Sequence, residues 1–174
     1  MKYETLDLIW KPIGKGRRAQ LLTLELYKIL KSWEKTPYME GQCAKGSGVD
    51  CIRFISSVLS VLTSSSLPLE TLPSDASLHN RETTQKALKV LRNTFPPNKL
   101  HKRKTVQPGD VLVTGPPAGG PGHAMIVGTE PYTLWHTTQR TGVCKTGFSL
   151  PPKYQKVFGI YRLRNRGKWQ LNWR

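Results

Sequence analysis

Hydrophobic spacing changes period once along this chain, at the breaker Gln107-Pro-Gly-Asp110, and that change sets the architecture. Upstream the apolar residues keep a helical period. Ala19, Leu22, Leu26, Ile29, Leu30 and Trp33 form a stripe that Pro37 ends, and Cys51 to about Thr63 is apolar or small on nearly every side, as in a buried central helix. Arg81 to Asn93, with Ala87, Leu88, Val90 and Leu91 on one side, predicts a third helix. Downstream, Val111–Thr114, His123–Gly128, Tyr132–Thr137 and Val157–Arg164 are short, β-branched or aromatic, and separated by Pro and Gly. Helices first and antiparallel strands second predict an α+β fold, with N-terminal helices packed on a small antiparallel sheet.

At 174 residues the expectation is one domain spanning 1–174. No apolar stretch reaches the roughly 18 to 20 residues of a membrane span, and the first residues lack the basic, apolar and small-residue succession of a secretory signal. Synthesis in the cytoplasm and delivery by some other route, such as a virion, is therefore expected. Lys and Arg number 27 against 11 Asp and Glu, a net charge of +16, which draws the protein toward polyanions without choosing among nucleic acid, cell-wall polymer and lipid. Nine of the basic residues follow Glu130, where no acidic residue remains, and the 153–174 segment sets them beside Trp169 and Trp173. Such interleaving suits phosphate contact with base stacking, or docking on an assembly partner or an anionic wall.

Three cysteines, Cys43, Cys51 and Cys144, are too few and odd in number for a disulfide scaffold. Cys43 and Cys144 form no Cys-x-x-Cys pair, so neither metal nor cofactor is expected; a Cys43 to Cys144 bridge is geometrically conceivable, but free thiols are the expectation. His79 and His101 lie in polar segments without partners and read as surface residues. Cys51 stands at the first turn of a predicted helix, where unpaired amides and the helix dipole favour a thiolate. Asp50 is a suitable N-cap, but its charge opposes the thiolate, so an imidazole is needed nearby. His123 opens a strand, and His136 lies on the next; an antiparallel hairpin brings the two together so that His136 orients His123, with Gln139 or Thr138 as alternatives for the third polar group.

At these residues the chain resembles a known family. Thr36-Pro-Tyr38, Gly48-Val-Asp-Cys51 opening a helix, Pro108-Gly-Asp110 before a strand, Gly122-His123 opening the next, and Trp135-His136 with Gly142-Val143 after it look like the NlpC/P60 cysteine peptidases over roughly Trp33 to Val143. The resemblance implies a papain-like α+β core and cleavage of peptide bonds in bacterial peptidoglycan, often that from D-glutamate to a diamino acid. It implies Cys51 as nucleophile, His123 as general base and then acid, His136 as the residue orienting His123, and Tyr38 beside the oxyanion hole. Asp50 matches an acidic residue that helps hold the stem peptide. Relatives usually follow Asp-Cys with Ser-Gly; Ile52-Arg53 stand here instead, removing a hydroxyl and bringing a bulky cation to the substrate side, so Arg53 joins Tyr38 and Asp50 as a substrate-binding candidate. The implied partners are a peptidoglycan peptide, anionic wall polymer and phage tail proteins. The competing readings are a non-catalytic basic scaffold for nucleic acid or an assembly, and an amidase or acyltransferase using the same Cys-His pair.

Overall fold

The computed structural model describes residues 3–63, 104–118 and 122–162. The expected third helix at Arg81–Asn93, the basic cluster through Arg103, His79, His101 and the segment after Arg162 lie outside the described residues. Among the described residues two helices and a five-stranded antiparallel sheet carry the structure, an α+β arrangement as the change of period predicts. No helix among the described residues is long and apolar enough to cross a membrane.

The chain opens with two two-residue strands, β1 (Glu4–Thr5) and β2 (Ile9–Trp10), and then forms α1 (Arg17–Trp33). Leu22, Leu26, Ile29, Leu30 and Trp33 are its buried stripe, the 3.6-residue pattern read from sequence. Lys35 at a φ of 65° ends the helix, and the chain turns into a small hairpin of β3 (Cys43–Ala44) and β4 (Gly48–Val49). α2 (Cys51–Thr63) follows at once. Phe54, Ile52 and Ile55 on it are fully buried, each stabilising the fold by roughly 1.5–3 kcal/mol relative to exposure.

The main sheet is built from β6 (Val111–Gly115), β7 (His123–Val127), β8 (Thr133–Thr138), β9 (Gly142–Gly147) and β11 (Lys156–Tyr161), in the order β11-β6-β7-β8-β9. Short strands form separate two-stranded sheets: β5 (Thr105–Val106) pairs parallel with β2, and β10 (Ser149–Leu150) pairs antiparallel with β1. The spacing predicts no strand between Thr137 and Val157; the structure has β9 there, with Cys144 on it opposite His136. Gly142-Val-Cys-Lys-Thr-Gly147 has glycine at both ends and little β-branched or aromatic content, so its edge position is set by pairing and not by propensity.

The pleat divides the sheet into two apolar faces. Val111, Val113, Ala124, Ile126 and Trp135 pack with α1 and α2, while Leu112, Met125, Val127 and Leu134 pack on the other side with Leu6, Val106, Phe148 and Leu150. The N-terminal strands thus cover the face that the helices leave. On β11 a bulge between Val157 and Gly159 changes the parity, so Phe158 and Tyr161 join the helix side while Val157 and Ile160 join the other. At Gly142, whose φ is 65°, an added Cβ would run into the Thr36 carbonyl. That close approach lets Val143 exchange backbone bonds with Lys35 and Thr36 at 2.8 Å each, tying the segment before Tyr38 to the sheet.

Candidate active site

Asp50 ends the β4 strand and begins α2. Its side chain caps the helix, Oδ1 accepting the Arg53 amide at 2.8 Å. Oδ2 accepts the Arg53 guanidinium at 2.6 Å and the Gly41 amide at 3.0 Å. Both side chains are buried, Asp50 at 1% and Arg53 at 5% exposure. Arg53 is therefore the neutralising partner of the cap, an i, i+3 pair on the first helical turn, and the carboxylate expected to hold substrate is engaged in bonds to its own helix and loop.

Cys51 follows, also buried. Its thiol is pushed up, first by burial and then by the Asp50 charge, while the nearby backbone amides of Ala124, Ile52 and Cys51 itself pull the other way. The helix N-terminus was expected to favour the thiolate; desolvation outweighs it, so the resting group is a neutral thiol. The Ala124 amide is informative for a second reason. It is the next residue along β7 after His123, so the sulfur lies against the beginning of that strand.

His123 and His136 are brought together. Nε2 of His123 lies 2.8 Å from Nδ1 of His136, and both rings are buried. Thr138 instead shares a hydrogen bond with Thr141, and Gln139 is exposed in the β8–β9 turn. Burial, with Lys153 adding to it, holds His136 down to about 4 from an ordinary 6.5. His136 is thus neutral at physiological pH, and the direction of the bond follows the tautomer; in the tautomer with the proton on Nε2 of His123, Nδ1 of His136 accepts it. This tautomer leaves Nδ1 of His123 as the basic nitrogen.

The depressed His136 makes a stability prediction. The unfolded chain takes up the proton near pH 6.5 and the folded one only near 4, so this contribution is complete above pH 6.5 and is lost as pH falls from about 6.5 to about 4, a change of about 3 kcal/mol. Urea unfolding across that range should show the loss, and His136→Gln should lack this component; equal pH slopes in the two proteins would refute it.

Tyr38 lies beside Val49 through an isolated parallel bridge, two residues before the cysteine. Its hydroxyl is pushed up to about 12, by burial first and then by Cys51, Glu40, Asp50 and Tyr154 around it, so it stays a proton donor. Cys43 and Cys144 are free thiols, bonded to Ser57 and Thr141 respectively, and the conceivable disulfide between them is not formed.

Sequence reasoning missed three nearby groups. Tyr154 stacks on His123, Lys153 bears electrostatically on His136, and Thr114, the register partner of His123 on β6, carries a buried hydroxyl with no hydrogen-bond partner among the described residues. Pro151-Pro152 signals a turn there, yet nothing in the sequence says against which strand it folds.

Solved structures resemble this arrangement. An NlpC/P60 family protein from Bacillus cereus superposes with a TM-score of 0.50 at 17% identity, over 87% of this chain and 41% of that one. The chain has the NlpC/P60 fold. The NlpC/P60 domain of the peptidoglycan hydrolase SagA has a TM-score of 0.41 at 21% identity, over 76% of this chain and 90% of that one. An NLP/P60 family protein similar to lipoprotein, from Staphylococcus aureus, has 0.48 at 16%, over 88% and 44%. This chain thus spans less than half the length of the Bacillus and Staphylococcus proteins. No family model and no curated protein sequence matches it. Within the NlpC/P60 fold, the order helix, cysteine helix and histidine strands is realised here by α1, α2, β7 and β8.

Proposed function

We propose that this chain is a cysteine peptidase that hydrolyses peptide bonds of bacterial peptidoglycan stem peptides. The observation that carries the reading is the His123 Nε2 to His136 Nδ1 hydrogen bond, on a strand whose next amide bears electrostatically on the Cys51 thiol. In the proposed reaction Nδ1 of His123 takes the Cys51 proton as the sulfur attacks the scissile carbonyl, because the buried thiol does not ionise unaided. The Cys51 amide and the Tyr38 hydroxyl receive the developing oxyanion. His123 then returns the proton to the leaving amine, and a water it deprotonates resolves the thioester. His136, neutral and buried, stabilises the imidazolium by accepting from its Nε2–H.

Arg53 and Asp50 serve this reading as the brace of the nucleophile's helix and not as a charged substrate pocket. The excess positive charge suits retention on an anionic envelope, the proposed place of action. Digestion of purified sacculi followed by mass analysis of the released muropeptides tests the proposal. The expected products carry one added water across a peptide bond of the stem. Products extended by an added amine or alcohol would mean acyl transfer, and unaltered sacculi at high enzyme concentration would refute peptidase action on this substrate.

A further inference from the structure

Between β10 and β11 the chain makes a single 3-10 turn, Pro152–Tyr154, which the proposed reaction does not use. Its last residue closes a cluster of three rings. The Tyr154 ring lies 4.5 Å from the His123 imidazole with the planes 24° apart, a stacked pair, and 6.1 Å from His136 at 89°, an edge contact. The two imidazoles are themselves 5.1 Å apart at 76°. The turn that delivers the ring is braced: Tyr154 donates its amide to the Pro151 carbonyl at 2.9 Å, and the Gln155 side chain reaches the Leu150 carbonyl at 3.2 Å. Tyr154 is half-buried against the outer apolar face of the sheet, and the Lys153 ammonium sits 4.8 Å from its ring centroid.

A hydrogen bond at Nε2 fixes a point of the His123 ring, and a point contact does not by itself set the plane of an imidazole. A flat face stacked on the ring sets that plane. We propose that Tyr154 is a positioning residue for the catalytic histidine, its ring holding the His123 imidazole in the plane that keeps Nε2 on His136 and leaves Nδ1 for exchange with Cys51. The proposal rests on the reading of Cys51 and His123 given above. The aromatic face does the work and the hydroxyl does not, so phenylalanine suffices at this position.

The full chain with Tyr154→Ala, Tyr154→Leu and Tyr154→Phe tests it by two measurements. Imidazole nitrogen signals in histidine-labelled protein report the His123 tautomer without any substrate. They are expected to show one Nε2–H form in the wild type and Tyr154→Phe, and an exchanging mixture in Tyr154→Ala and Tyr154→Leu. In sacculus digestion, Tyr154→Ala and Tyr154→Leu should lose about tenfold to a hundredfold in kcat with KM within about threefold, the cost of a slightly misplaced reacting group. Leucine keeps the apolar packing without the flat face, so it separates lost stacking from lost fold. Wild-type tautomer signals in Tyr154→Leu overturn the proposal, as does a Tyr154→Phe protein as impaired as Tyr154→Ala. If the peptidase reading itself fails, the wild type and Cys51→Ala are equally inactive, and the tautomer signals still decide the role of Tyr154.

Discussion

Replacing Cys51 by alanine is expected to lower sacculus cleavage by at least about 10⁴-fold, with the fold retained, because a nucleophile has no substitute in a thioester mechanism. The side chain lost is small, and its helix is held also by the Asp50 cap, the Arg53 pair and the buried Ile52, Phe54 and Ile55. His123→Ala should cause a loss of similar size. The double variant should be little worse than either single one, since residues acting as one unit do not contribute additively. Turbidity clearance by wild type and variants at matched circular dichroism measures this. A Cys51→Ala protein that still clears sacculi would remove the thiol from the reaction, and additive losses would mean that the two residues act in separate steps.

The largest expected effect on stability lies at Asp110. Its carboxylate is wholly buried and accepts bonds from the Gln107 amide at 2.8 Å, Arg162 Nε at 2.8 Å and Arg162 Nη2 at 2.6 Å. The forked guanidinium matches the two oxygens, and the pair joins the corner before β6 to the end of β11. Asp110→Ala leaves a mostly buried cation without its counter-charge, at a cost of about 3–5 kcal/mol. For a chain of this length that lowers Tm by roughly 10 °C or more. Arg162→Met added to Asp110→Ala should recover part of the loss, because an apolar side chain needs no partner. Thermal unfolding of the two variants checks both statements; a Tm for Asp110→Ala within about 2 °C of wild type would show that the pair is idle.

Legibility in the sequence followed the length of each element. α1 and α2 repeat their apolar positions over several turns, and the core residues Leu22, Leu26, Leu30, Ile55 and Leu59 follow from that period alone. Most of β6, β7, β8 and β11 was readable from β-branched runs between breakers. The two-residue strands β1 to β5 and β10 are too short to carry any period, and their pairing depends on which face of the sheet remains uncovered. The site divides in the same way. Cys51, His123 and His136 were visible because a helix start and consecutive strands fix where they go. The Asp50 to Arg53 pair sits at a spacing that announces contact on a helix, yet burial had to be known before Arg53 could be told from a substrate-facing cation. Burial likewise decides the state of Cys51, and no local pattern reports it. Tyr154 depends on a long-range docking that Pro-Pro-Lys-Tyr does not encode in itself.

The helix bearing Cys51 is finished before the residues of β7 have been joined to the chain. At a synthesis rate of about 5–20 residues per second, α1, the β3–β4 hairpin and α2 emerge with no Ala124, Ile126 or Trp135 to rest against. The proposed nucleophile has neither its base nor the amide that meets it until the sheet closes. On the proposed reading, a nascent, truncated or thermally opened copy therefore carries an idle thiol, and hydrolytic competence is acquired only when the sheet has closed on α2.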